Sequence, residues 1–513
     1  MSPIYTRFEL VANSTPDKIA LYDNGQKFSY LQLLQMVDRL ALNIFELCAE
    51  VRPRVALITN EHIDNVCVSL ALAKLGGCCV PMNAHMLPAQ LQSACKAVDA
   101  NMVIGQQNLI EKSLDNLELT PLFTDDVSCK QTVISKTLPA AVIALWLAED
   151  DYLITLSSGS TGQPKPIMIS QTVKLARAEQ TWALYQLSAS DTVLCASPFF
   201  HSLGQRLTFV PLLLGAGLVH LERFTPSAWL ALVQSQSVSF VISVSSHLYA
   251  LKSSLLSNVA ALQSLRTIVT SSAPIDSAFK AQVFNAIGCD FHEIYGASEI
   301  AVATNLAPVY ASEKYRTVGK PYEQVDIVVL SHDMQQVGFQ EVGQIAVKTP
   351  LRFSGYYANE QLTQAAFIDG YFLTGDIGSI DQDGFVTYVG RQKDIIISGG
   401  INIYPKDIEV ALLQHEQLNE VAVVGVEDSL LGEVIIAVCI TENTVNIESQ
   451  LRKIANQSLA SFQRPLKYFF LDSLPLTATG KVSKLLLREQ YNKQNDGWTD
   501  MLRVMLYGEQ ANE

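Results

Sequence analysis

The sequence has 513 residues and a mass of 56.3 kDa, enough for roughly two to four domains with well-filled cores. Hydrophobic residues make up 49% and charged residues 17%, the balance of a globular enzyme rather than a disordered chain. The net charge of −14 argues against a dedicated nucleic-acid binder, which needs a basic face against phosphates.

In chain order, the spacing of apolar residues predicts a helix over Tyr30–Cys48, with Phe28 and Ser29 ahead of it as the cap. Arg54–Thr59 reads as a short strand, Asn65–Leu75 as a helix ending at Gly76 and Gly77, and Cys78–Pro81 as the next strand. Strands recur at Tyr152–Leu156, Asp191–Ala196, Ser239–Val244 and Thr267–Thr270, with helices near 227–235, 246–256 and 276–287. This β-α-β alternation implies a parallel sheet covered by helices. From about 318 to 390 short strands follow one another (Gln324–Leu330, Gly343–Val347, Phe385–Val389), as in a small antiparallel barrel or sheet. An α+β unit comes after Gly390. It comprises helix Pro405–Leu413, strands Glu420–Val426 and Glu433–Thr441, a helix near 447–459 and strand Tyr468–Leu471.

The most apolar stretch, Phe209–Leu221, is broken by Pro211, Gly215 and Gly217, and is shorter than the about 20 residues a bilayer span needs. The N-terminus has no basic region followed by an apolar core, so no secretory signal is expected. The nine cysteines contain no CxxC pair and read as reduced, buried thiols. The expectation is a cytoplasmic protein without stable membrane insertion.

The predicted strand Tyr152–Leu156 runs into Ser157, Ser158, Gly159, Ser160, Thr161, Gly162, Gln163, Pro164 and Lys165. Small residues let backbone N–H groups approach phosphate oxygens, the hydroxyls add donors, and Lys165 adds positive charge. A polar surface turn is the alternative. A Walker A loop is excluded because Lys165 lies between Pro164 and Pro166. A dinucleotide fingerprint fails for want of a third glycine and an opening helix.

The run SSGSTGQPKP resembles the phosphate loop of the adenylate-forming superfamily, [ST]SG[ST]TGxPKG. Further signatures of that superfamily follow in order, so the resemblance covers most of the chain up to about Tyr491. It implies an α/β protein. A large N-terminal domain, 1–390, holds stacked α/β subdomains and a small β-barrel-like section. A hinge at 391–393 precedes a small mobile α+β C-terminal domain, 394–513. It implies ATP-dependent activation of a carboxylic acid to an acyl-adenylate, with Mg²⁺, followed by transfer to CoA. Transfer to a carrier-protein phosphopantetheine or an amine is the alternative. An inactive AMP-binding scaffold is a further alternative, which the retention of Lys481, Glu299, Asp376 and Arg391 argues against.

Roles carry over motif by motif. YGASE resembles YGxTE, which implies Tyr295 stacking on adenine beside Gly296 and Ala297, Ser298 at the α-phosphate and Glu299 on Mg²⁺. Ser272, Ala273 and Pro274 match the adenine-side loop. YFLTGD resembles [YW]xxTGD, so Asp376 is expected to accept the ribose hydroxyls, with Arg391 adding a second contact. LPLTATGKV resembles PxTxxGK and implies that Lys481 bridges carboxylate and phosphate in the adenylation step. Lys393 matches the hinge position, about which the C-terminal domain rotates to present Ser398, Gly399 and Gly400 to the second substrate. PFFHSLG resembles PxFHxxG and places Phe200 and His201 beside the acid. His247, Gly296, Ala303 and Thr304 are expected to complete the acid pocket. No partner for a second carboxylate or an amino group is visible, so a fatty or aryl acid is expected. ISGGINIYP is close to the form typical of CoA ligases. Pro166 and Gln344 depart from the usual glycine and glutamate without removing a catalytic group.

Overall fold

In the computed structural model the described residues are 2–48, 52–114, 119–124, 150–157, 165–257, 262–272, 275, 277–286, 288–442, 446–476 and 482–493. They form two compact units. One comprises residues 1–326 and 347–372, the other 327–346 and 373–513.

The first unit is built on two sheets. One has nine strands, ordered Lys320–Pro321, Ala301–Leu306, Asp290–Ala297, Thr267–Ser271, Phe240–Val244, Thr192–Cys195, Gly217–His220, Ile19–Asp23 and Gln26–Ser29. The six strands from Asp290–Ala297 through Ile19–Asp23 are parallel to one another, and the strands flanking them are antiparallel. The β-α-β reading therefore holds. Buried Trp229, Phe279 and Phe291 fill one core against this sheet.

The second sheet is ordered Gly355–Tyr356, Lys165–Ser170, Asp151–Ser157, Cys78–Pro81, Arg54–Ile58, Met102–Gly105 and Thr120–Phe123. Asp151–Ser157 and Lys165–Ser170 are antiparallel, with Ser157 opposite Lys165. The glycine-rich segment thus joins the two arms of a hairpin, a pairing that the strand–loop reading did not contain.

Local chemistry explains the element ends. The helix Tyr30–Leu47 starts at a capping box. Ser29 Oγ accepts from Gln32 N at 3.2 Å, and Gln32 Oε1 accepts from Ser29 N at 2.7 Å. Its buried stripe is Leu33, Leu34, Val37, Leu40, Ala41 and Ile44. The helix Ser202–Leu214 runs through Pro211 and stops at Gly215. There the Pro211 carbonyl accepts from both Gly215 N and Ala216 N. The apolar stretch Phe209–Leu221 is therefore the end of one helix and the strand Gly217–His220. Among the described residues no helix is long and apolar enough to cross a membrane, and the described cysteines are free thiols, most of them buried.

The second unit contains most of the short-strand region, in which Tyr371–Ile380 pairs antiparallel with Val386–Arg391. It also contains the terminal sheet, ordered Ile401–Ile403, Ile396–Ser398, Gly432–Ile440 and Glu420–Asp428, with Lys467–Phe470 parallel to Gly432–Ile440. Alternation along Glu420–Asp428 divides its side chains between two cores. Val423 packs with the helices Pro405–Leu412 and Ile447–Ser458, while Ala422, Val424 and Val426 pack with Leu487 and Tyr491 of the helix Lys484–Asn492.

Candidate active site

Strand ends and the turns after them carry the first group of candidate residues. Asp290–Ala297 and Ala301–Leu306 form a hairpin with Tyr295 opposite Thr304 and an irregularity before Gly296. A Cβ on Gly296 would lie 2.0 Å from the Ala301 carbonyl oxygen, so close backbone approach demands glycine there. The turn between these strands presents Ser298 and Glu299. It closes through Ala301 at φ +61°, a left-handed conformation unusual for a residue with a Cβ. Tyr295 is largely buried, with 8% of its surface exposed.

Glu299 is held from three sides. Its Oε1 accepts from Tyr356 Oη at 3.0 Å, and its carbonyl accepts from Phe353 N at 2.6 Å. Arg177, in the helix Gln171–Tyr185, donates to Ser298 O at 2.9 Å and Glu299 O at 3.1 Å, and to Leu351 O from two nitrogens at 3.0 and 2.8 Å. Burial pulls Arg177 down to about 10, against the raising influence of Glu299, so the guanidinium stays charged at neutral pH. Burial, then the Glu299 charge, pushes the Tyr356 phenol well up, and the phenol remains the donor.

The other motifs of this unit meet the same turn. Ser298 Oγ donates to Ser202 Oγ at 3.0 Å, which ties the YGASE turn to the start of the helix after His201. The Lys165 ammonium lies 5.4 Å from the centre of the Tyr356 ring. The geometry therefore joins Ser202 to Ser298 and Glu299, and sets Lys165 beside the tyrosine that donates to Glu299. His201 packs edge-on against Phe200 with ring centres 4.3 Å apart. His247 stacks face to face on Phe224 at 3.7 Å, and burial lowers it to about 4, so this ring is neutral at physiological pH. Ala303 and Thr304 are buried, and Thr304 Oγ1 donates to Val318 O at 2.5 Å. Ser272 adopts φ +80° just past the strand Thr267–Ser271. Ser158, Gly159, Ser160, Thr161, Gly162, Ala273, Pro274 and Lys481 lie outside the described residues.

In the second unit, Asp376 and Arg391 are partners across adjacent strands. Arg391 Nε lies 2.7 Å from Asp376 Oδ1. Thr374 Oγ1 accepts from Asp376 N at 3.0 Å and donates to Ile345 O at 2.7 Å, which fixes the turn at Gly375. Lys393 is exposed in the short helical turn Gln392–Asp394. Gly399 and Gly400 form the two-residue turn between Ile396–Ser398 and Ile401–Ile403, with φ of +57° and +81°. Such a hairpin requires positive φ at both central positions. A Cβ on Gly400 would meet nothing within 4 Å, so backbone conformation, rather than crowding, accounts for the glycines.

Among the described residues no three His, Cys, Asp or Glu side chains converge as a metal cage. A single carboxylate fits Mg²⁺, which keeps waters and substrate phosphates as its other ligands. Glu299 accepts from the Tyr356 phenol at Oε1, and a carboxylate has a second oxygen with lone pairs of its own. Arg177 and Tyr356 were not singled out in the sequence. The signal that could have found Tyr356 is the pair Gly355-Tyr356 ahead of the short helix Glu360–Ala365. Arg177 carries none, as a mid-helix arginine reads as a solvated charge.

The pattern of the AMP-binding enzyme family matches residues 8–357, and that of the AMP-binding enzyme C-terminal domain matches 407–481. The chain belongs to the AMP-binding enzymes. Among its relatives, a 2-succinylbenzoate–CoA ligase of Listeria monocytogenes is 26% identical over 93% of this chain and 97% of its own length. A feruloyl-CoA synthase of Amycolatopsis is 29% identical over 94% and 97%. The solved structure of o-succinylbenzoate CoA synthetase from Bacillus subtilis with its acyl-adenylate intermediate superposes with a TM-score of 0.85. It is 25% identical and covers 94% of this chain and 97% of that one. These likenesses extend over both units, as an α/β protein with a large N-terminal and a small C-terminal domain requires.

Proposed function

We propose that this enzyme joins a carboxylic acid to CoA through an acyl-adenylate, consuming ATP and releasing pyrophosphate, and that its acid carries an aromatic ring. The observation that carries the adenylation reading is the meeting of Ser202, Ser298 and Glu299 at one turn, with Lys165 beside Tyr356, the phenol that donates to Glu299. An ammonium, and a hydroxyl pair in which Ser298 donates to Ser202 and Ser202 can pass a donor on, suit phosphate oxygens. The adjacent carboxylate suits Mg²⁺, which neutralises phosphate charge when bound. In this reading Ser157 through Gly162 line the phosphates, Ser272, Ala273, Pro274 and Tyr295 face the base, and Asp376 with Arg391 holds the ribose. Lys481 supplies the mobile charge of the first step. Rotation at 391–393 then withdraws it and brings the Gly399–Gly400 turn to the thiol arm.

The choice of acid is supported by the neutral, stacked His247 beside Phe224 and by Phe200 against His201. Aromatic rings at these positions favour a planar ring in the acid. The acids in the names of the two relatives, 2-succinylbenzoate and ferulate, both carry one. The test is acid-dependent exchange of pyrophosphate into ATP, without acceptor, over substituted benzoates, cinnamates and fatty acids of graded length. Exchange with the aryl series supports the proposal. Exchange with fatty acids alone overturns the choice of ring, and product formed only with holo-carrier protein or an amine overturns CoA as the acceptor.

A further inference from the structure

We propose that Tyr356 is a positioning residue for this reaction, aiming the Glu299 carboxylate with its hydroxyl and steadying the Lys165 ammonium with its ring face. The inference rests on the roles proposed above for Glu299 and Lys165.

Tyr356 contacts both groups. Its Oη lies 3.0 Å from Glu299 Oε1, and its ring centre 5.4 Å from Lys165 Nζ. Backbone pairing sets that double reach. Gly355–Tyr356 is the edge strand beside Lys165–Ser170, with Tyr356 opposite Ile167. Ser354 N donates to Met168 O and Tyr357 N to Pro166 O, both at 2.9 Å. Pro166 itself has no N–H, so its carbonyl is the ladder group it offers at this point. The ring is held against Phe353, centres 4.8 Å apart, and Tyr356 N donates to Thr363 Oγ1 at 2.9 Å.

The same segment is stapled to the turn it serves. Arg177 grips Leu351 O together with Ser298 O and Glu299 O. Phe353 N reaches Glu299 O. The carboxylate and its phenolic donor are therefore tied through the same backbone contacts. A phenol donating to one carboxylate oxygen limits the rotation of the group, leaves the other oxygen's lone pairs unused by that bond and adds no positive charge. An arginine in its place would compete with a metal ion. A lysine over an aromatic face is held electrostatically while its three N–H donors stay available to phosphate.

The test is calorimetric titration of the full chain with α,β-methylene-ATP, which adenylation cannot cleave, at graded Mg²⁺. Wild type is compared with Tyr356→Phe, Tyr356→Leu and Glu299→Gln. The Phe variant keeps the ring and loses the donor. It should raise the Mg²⁺ needed for half-maximal nucleotide binding by about tenfold, the lower end for a hydrogen bond to a charged group, with metal-free affinity unchanged. The Leu variant should in addition weaken metal-free binding by about threefold. Wild-type Mg²⁺ dependence in Tyr356→Phe, while Glu299→Gln shifts it, overturns the proposal. So does an equal loss of metal-free and metal-bound affinity in the Phe variant, the mark of a purely structural residue. Unchanged Mg²⁺ dependence in Glu299→Gln removes Glu299 from the metal, and the proposal falls with that reading.

Discussion

Glu299 and Asp376, the two carboxylates assigned to the nucleotide, are prepared in opposite ways. Glu299 receives a hydrogen bond from a neutral phenol, and the nearby Arg177 directs its N–H groups to carbonyl oxygens. Asp376 is met directly by a guanidinium at 2.7 Å from the next strand. A carboxylate meant for a dication must keep its negative charge uncompensated at hydrogen-bond range. One meant for neutral ribose hydroxyls loses nothing to an arginine, because its remaining lone pairs still accept. Under the roles proposed above, the difference suits each carboxylate to a different kind of ligand.

Removing charge at each position sharpens this contrast. Glu299→Gln keeps shape and loses charge, and should slow acid-dependent pyrophosphate exchange by about 10²-fold, the usual scale for one preorganised electrostatic group. Exchange within twofold of wild type would remove Glu299 from the metal. Asp376→Asn should weaken ATP binding by about tenfold in calorimetry, as expected for hydrogen bonds to a charged group, and leave Mg²⁺ dependence unchanged. A shift in Mg²⁺ dependence there would erase the distinction between the two sites.

Arg177→Met leaves the carbonyls of Ser298, Glu299 and Leu351 without this donor, at about 1–3 kcal/mol for a buried group left unsatisfied. Its thermal midpoint should fall, and Arg177→Lys should recover part of the loss. The smallest effect concerns His247, which burial lowers from 6.5 to about 4. Between those values the unfolded chain takes up a proton and the folded chain does not, so stability holds above about 6.5 and is lost as pH falls toward 4. His247→Phe keeps a ring on Phe224 and should flatten the fall in melting temperature over that window. An unchanged slope would mean that other groups carry the acid sensitivity.

Much of the architecture is legible in local pattern. The helix Tyr30–Leu47 is announced by its apolar spacing and its Ser29 cap, and the helix His62–Leu75 by the glycine at its end. The strands of the parallel sheet are short apolar runs between polar turns. The motifs could be picked out for another reason: the residue types proposed for phosphate and metal are few, and they lie close together along the chain. Arg177 and Tyr356 are not legible. Each acts on Ser298 or Glu299 across 57 or more positions of sequence, and a two-residue edge strand has no periodicity to read.

Sequence alone determined the periodic elements, the order of the motifs and the chemical type of each candidate group. These follow from φ/ψ preferences, side-chain burial and the donors and acceptors that each residue carries. Tertiary structure decided which motifs meet, through strand pairing and a buried arginine that bring residues distant in sequence onto one turn. It also decided that one carboxylate would face a phenol and the other a guanidinium. Those choices depend on register between strands, and register is set by the packing of whole faces, which no single segment contains.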